Sequence, residues 1–309
     1  MRKVSFDGGA KSRQRDGSAN RPDLAMPSRS PFRLARHLLA RHLLALSLLL
    51  LTFAAQEVRA VETLKTSVGG SEIAVHLYVP NGQGPFPVLI LSHGSPRSPS
   101  ARTKFGEATL AAVAKTFMAR GVLVAVPIRR GYGGEGGGWA EGYGRCENAD
   151  YYGGGLATSQ DIRAAASAVR ARPDADPRRL VYMGVSAGGW GSIAAATYGD
   201  SGLLGVVNFA GGRGSRGPND VCSEEALVAA AGRYGGSART PELWLYSSND
   251  LFFGPDLAKR LYSTFTAAGG KARFVSAPAY GQDGHGYINA VGSWRSEVEG
   301  FLRSIGFMR

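Results

Sequence analysis

The sequence predicts an α/β fold: a mostly parallel central sheet of about eight strands, with helices on both faces and no large lid domain. Three observations lead there. Strand-like and helix-like runs alternate from residue 72 to the C-terminus. The run FPVLILSHG (86–94) is almost continuously apolar, as a strand buried on both faces must be. After residue 60 neither a Pro/Ser-rich linker nor an internal repeat divides the chain, so one domain is expected over 61–309.

The elements follow in order. EIAVHLYVP (72–80) alternates like a half-exposed strand. No helix separates it from FPVLILSHG, so these two strands are expected to form an antiparallel hairpin. EATLAAVAKTFMAR (107–120) has helical spacing and runs into Gly121, a helix stop. VLVAVPI (122–128) reads as a second buried strand. Residues 131–155 hold 11 glycines, which are costly inside helices and strands, so this stretch is expected to be a loop. It follows a strand and should lie at the carboxyl edge of the sheet, where open α/β sheets bind ligands. A helix over 156–172 stops before Pro173. Then come RLVYMGV (179–185), a helix at 187–198, LLGVVNFA (203–210) and a helix at 223–234. ELWLYSS (242–248), a helix at 256–268, ARFVSAP (272–278) and a closing helix at 290–305 complete the pattern.

The formal net charge is +12, but it is unevenly placed. Residues 1–60 carry 11 Lys and Arg against 4 Asp and Glu, while the remainder carries 25 against 20. No basic stripe marks the body, which argues against a nucleic-acid partner. The leader has Arg33, Arg36 and Arg41, then an apolar run from Leu43 to Ala55, then Val58-Arg59-Ala60. That is the layout of a signal peptide cleaved near Ala60, with the start either at Met1 or at Met26. The run is too short for the roughly 20 residues of a membrane span. A secreted or periplasmic body with no stable membrane span is expected. An uncleaved anchor is the other reading. The two cysteines, Cys146 and Cys222, can then close a disulfide or stand as free thiols.

Residues 180–191, LVYMGVSAGGWG, raise the functional question. Gly184-Val185-Ser186-Ala187-Gly188 is a G-x-S-x-G between a strand and a helix, the setting of a nucleophile elbow. With 44 glycines in the chain the motif alone is weak, and its context carries the weight. A tight turn there leaves no room for a Cβ at 184 or 188, and it exposes the Ser186 hydroxyl at a helix N-terminus. A serine nucleophile needs a base. The body has three histidines, His76, His93 and His285, and only His285 follows Ser186, as the order nucleophile–acid–base requires. Asp250, directly after ELWLYSS, is the favoured acid, with Asp256 and Asp283 as rivals. The backbone N–H groups of Ala187 and Ser95 are the expected oxyanion donors; Pro96 has none to offer. His93 reads as a structural residue of that loop. Trp139, Tyr143, Tyr151 and Trp190 are candidate pocket walls, although core packing suits Trp190 better.

The pieces LSHGSP, PIRRGYGGEGG, GVSAGG, SSNDLFFGP and DGHG, in that order, resemble the α/β-hydrolases, close to dienelactone-hydrolase-like and prolyl-oligopeptidase-like esterases and peptidases. They span most of the body. True dienelactone hydrolases use a cysteine nucleophile, so Ser186 shifts the expectation towards ester or amide chemistry. The resemblance implies a serine hydrolase of a small ester, working through an acyl-enzyme without metal or organic cofactor. Two alternatives stay open: a peptidase of short peptides, and a non-catalytic binding protein on the same fold.

Overall fold

The computed structural model describes residues 61–134 and 136–309. The leader with its expected cleavage site lies outside them. Eight strands form one sheet in the order β1-β2-β4-β3-β5-β6-β9-β10. The first pair is antiparallel: β1 (Glu62–Val68) and β2 (Ser71–Tyr78) meet through Gly69-Gly70. Both glycines have positive φ, 57° and 77°, as a two-residue hairpin turn demands. Strand β2 also pairs antiparallel with β4 (Leu123–Pro127). From β4 onward every pairing is parallel: β3 (Phe86–Ser92), β5 (Ala175–Val185), β6 (Leu203–Phe209), β9 (Glu242–Ser247) and β10 (Ala272–Ala277).

Alternate residues of the central strands feed two separate cores, as period-2 side-chain geometry requires. Leu89, Leu91, Val124, Val181 and Met183 pack with Val113 and Phe117 of α1 (Ala111–Met118) and with Trp294 and Val298 of α6 (Val291–Ser304). Val88, Ile90, Leu123, Ala125 and Tyr182 face the other way, onto Ile162, Ala165 and Val169 of α2 (Tyr151–Arg170). A third cluster joins Trp244 and Tyr246 to α3 (Ala187–Ala196), α4 (Glu224–Ser237) and α5 (Pro255–Ala267). Both faces of β3 are therefore covered, which explains its unbroken apolar sequence.

Three expectations are corrected. The 72–80 strand does not form a hairpin with 86–92; its hairpin partner is β1, and β3 lies beyond β4. The glycine-rich stretch is not a loop to its end, because α2 begins at Tyr151 and takes in Gly153, Gly154 and Gly155. Asp150 caps it by accepting from the Gly153 N–H at 2.8 Å. Glycine is required there by crowding: a Cβ on Gly155 would collide with the Tyr234 hydroxyl and Trp190. The helix expected from 107 starts at Ala111, after Leu110 at φ 57°. A short hairpin, β7 (Ser215–Gly217) and β8 (Asp220–Val221), has no counterpart in the sequence reading.

Candidate active site

Strand β5 ends at Val185 and α3 starts at Ala187, so Ser186 alone makes the turn. Its backbone sits at φ 56°, ψ −124°, a region that a side-chain-bearing residue occupies only under strain. The surroundings hold it there. Its N–H donates to the Phe209 carbonyl (2.9 Å), and its carbonyl accepts from the N–H groups of Trp190 (2.9 Å) and Gly212 (3.3 Å). A Cβ on Gly184 would strike the Gly188 backbone, and one on Gly188 would strike the carbonyls of Ser92 and His93. The small residues of the motif are thus a packing requirement of the turn.

Asp250 follows β9 and is 1% exposed. Its Oδ1 accepts from the N–H groups of Phe252 (2.7 Å) and Phe253 (2.9 Å), which fixes the carboxylate. His285 Nδ1 lies 3.2 and 3.1 Å from the two Asp250 oxygens. The rivals are placed elsewhere. Asp283 Oδ1 accepts from the backbone N–H groups of Leu251 and His285, both at 3.0 Å, so it fastens the loop and not the imidazole. Asp256 is exposed in the first turn of α5. Gly284 lets the loop close, since a Cβ there would meet Ser247 and Asn249. Among the described residues no hydrogen bond joins the Ser186 hydroxyl to the His285 ring, whose hydrogen-bond partner is Asp250.

The loop after β3 covers the elbow. A Cβ on Gly94 would come within 3.2 Å of the Ser186 Cβ. Ser95 and Ala187 line the same cavity as Ser186. Tyr132 donates to the Ser95 hydroxyl at 2.8 Å and holds this loop. His93 is buried between Phe105 and Tyr132. Its Nε2 accepts from the Arg129 N–H at 3.4 Å, which makes Nδ1 the donor to the Gly94 carbonyl at 2.7 Å. Burial and the Arg129 charge push its pKa well below the ordinary value, so the ring is neutral.

Beneath the site runs an ion network that the sequence reading missed. Arg129 donates to Glu141 Oε1 (2.9 Å), to the Ser92 hydroxyl (3.0 Å) and to the His93 carbonyl (2.6 Å). Arg213 reaches the same Glu141 through its carboxylate and its carbonyl. Burial alone would raise the Glu141 pKa, but the two guanidiniums hold it far below the usual carboxylate range. These residues are dispersed in the chain and form no motif; PIRRGYGG was the nearest signal.

The cavity over Ser186 measures about 100 Å³ and takes walls from Trp139, Tyr143, Arg97, Arg213 and Phe252. Two candidate wall residues are not among these: Trp190, for which core packing is the favoured reading, and Tyr151. Trp190 is fully buried and donates its Nε1–H to the Tyr151 carbonyl. Tyr151 is 1% exposed, with its hydroxyl on the Cys222 carbonyl. Both pack behind the wall. Cys146 and Cys222 are bonded, tying the glycine-rich loop to the segment after β8. Among the described residues, no group of three His, Cys, Asp or Glu is placed to hold a metal ion, and no helix is long and apolar enough to cross a membrane.

Residues 108–202, which run from before α1 through the elbow and α3, match the prolyl oligopeptidase family. The whole fold is similar to a puromycin-hydrolysing peptidase of Mycobacterium tuberculosis: 20% identity, TM-score 0.58, over 80% of this chain and 40% of that one. The chain has the α/β-hydrolase fold. The likeness extends to the acylaminoacyl peptidase of Pyrococcus horikoshii, at 17% identity and TM-score 0.58, over 83% of this chain and 42% of the peptidase. A protein of Klebsiella pneumoniae, provisionally named a dienelactone hydrolase, matches at 18% identity and TM-score 0.52 over 81% of this chain and 98% of its own. The chain therefore spans about 40% of the two peptidases' length. No curated protein matches this chain by sequence.

Proposed function

We propose that this α/β-hydrolase is an exported serine hydrolase that cleaves a carboxylic ester through an acyl-enzyme. The observation that carries the reading is the contact of His285 Nδ1 with Asp250, on loops after β9 and β10, whose carboxyl ends share one edge of the parallel sheet with the end of β5. Asp250 accepts from Nδ1–H and leaves Nε2 as the base. Ser186 attacks the acyl carbon while Nε2 takes its proton and passes it to the departing alkoxide. The N–H groups of Ala187 and Ser95 receive the oxyanion. His285 then deprotonates water, which releases the acid and restores Ser186.

A second reading, a serine peptidase of short peptides, is favoured by the prolyl oligopeptidase match over 108–202. The similarity to the Klebsiella protein over nearly its full length favours the ester, since a lactone, the substrate in that protein's name, is a cyclic ester. We assign residues 1–60 to an export signal removed near Ala60, and 61–309 to the hydrolase domain. The disulfide supports an oxidising destination. Labelling by a fluorophosphonate, in wild type and in Ser186→Ala, tests the nucleophile. Parallel assays of p-nitrophenyl esters and aminoacyl anilides separate the two chemistries. Wild-type turnover in Ser186→Ala removes the triad, and a protein that never labels is a binding protein on a hydrolase fold.

A further inference from the structure

The cavity over Ser186 has three arginines on its wall, Arg97, Arg102 and Arg213, and no aspartate or glutamate. The charge is not balanced from behind. Arg213 is 4% exposed and shares Glu141 with Arg129, so two buried guanidiniums divide one carboxylate. Arg213 Nε and one terminal nitrogen of Arg129 are buried with no hydrogen-bond partner. A surplus positive charge in a water-poor interior is costly unless an anion answers it. The two outer arginines are held flat. Arg102 lies over Trp139 and Arg97 over Phe252, each 3.6 Å from the ring centroid. Arg102 Nε is also without a partner. Stacking of this kind fixes the plane of a guanidinium; Arg97 donates one N–H to the Ser215 hydroxyl at 2.9 Å, and the remaining N–H groups of the two side chains can meet a planar oxyanion.

We propose that the substrate carries a carboxylate, held by Arg97, Arg102 and Arg213, while Ser186 addresses a nearby acyl carbon. This rests on the serine-hydrolase reading and narrows it to short, anionic substrates, of which a half-ester of a dicarboxylic acid is the simplest. In its hydrolysis the ester C–O bond breaks. Water supplies the hydroxyl to the acyl carbon and a proton to the alcohol, and the distal carboxylate is unchanged. The small cavity sets the short spacing between the two groups.

The test uses the mature protein and the variant Arg97→Gln/Arg102→Gln. The first measurement is the ratio of kcat/KM for mono-p-nitrophenyl glutarate to that for p-nitrophenyl butyrate. The charged ester is expected to be preferred, and the double variant should lower the ratio about 10- to 100-fold, the range for charge-assisted hydrogen bonds. The second is calorimetric binding of glutarate to Ser186→Ala, with and without the arginine substitutions, which needs no turnover; affinity should fall by a similar factor. Preference for the neutral ester, a ratio that ignores the arginines, or glutarate binding that survives their loss overturns the inference. So does tighter, arginine-dependent binding of inorganic phosphate than of glutarate. Fluorophosphonate labelling of Ser186 separates the two levels. Labelling without anion preference sinks the carboxylate site alone. Arginine-dependent glutarate binding without labelling sinks the hydrolase reading and leaves an anion site.

Discussion

Phe252 lies flat against the imidazole of His285, with ring centroids 3.8 Å apart and planes 8° from parallel. The opposite face of Phe252 carries the Arg97 guanidinium. The histidine is therefore held on its edge by Asp250 and on its face by a ring that also walls the cavity. Phe252→Ala is expected to lower kcat about tenfold, more than it raises KM, because the ring would gain freedom and the productive geometry would be populated less. Phe252→Tyr, which keeps the stack, should recover most of the loss. Equal effects in both variants, or an effect on KM alone, would reject the positioning role.

Cys146 and Cys222 are 76 residues apart in sequence and close a loop that includes α2, β5 and the Ser186 turn. Replacing both by serine should destabilise the domain by about 2–5 kcal/mol. Denaturant titration of the double variant against oxidised wild type measures this. A midpoint unchanged by the substitution would show that the bond constrains nothing in the unfolded chain.

Legibility in the sequence followed burial. Strands β3 to β6 and β9 are covered on both faces, so their apolar runs announce them. Strand β1, ETLKTSV, is an edge strand with Glu62, Thr63, Lys65 and Ser67 exposed or half-exposed, and it offers no apolar run. The first turn of α2 was hidden because glycine disfavours helix locally, whereas the reason for those glycines is Tyr234 and Trp190 from distant elements. The elbow was legible because its glycines obey a local steric rule. The Asp250–His285 contact was legible because both residues sit just past strand-like runs in the expected order. The Arg129–Glu141–Arg213 network was not. Its members are 12 and 72 residues apart and meet only through the fold.

That network supports a third prediction. Glu141→Gln leaves Arg129 and Arg213 buried without a counter-charge, and should cost about 3–5 kcal/mol. Thermal unfolding of the variant would show it. Arg213→Met together with Glu141→Gln removes one of the two stranded charges and should be less destabilised than Glu141→Gln alone. If the double variant is the worse of the two, the pairing of these charges is not what stabilises this layer.

A buried carboxyl far from the elbow gives the fold a pH dependence of its own. Glu242, at the start of β9, is 1% exposed; its Oε2 accepts from the Trp244 indole at 2.6 Å, and its Oε1 has no partner. Burial pushes its pKa up from 4.5 to about 8, against the opposing pull of the indole hydrogen bond. The folded protein then keeps the proton where the unfolded chain has lost it. Fewer protons are bound in the unfolded state across this window, so stability must fall as pH rises, by up to about 1.4 kcal/mol per pH unit. The contribution is complete below the unfolded value near 4.5 and is lost as pH climbs through about 8. Glu242→Gln keeps a neutral group that can accept from Trp244 and abolishes the titration. Its melting temperature should match wild type near pH 4 and exceed it increasingly up to pH 9. Parallel melting curves for the two proteins across that range would mean that Glu242 is ionised in the folded state, with a counter-charge or water reaching Oε1.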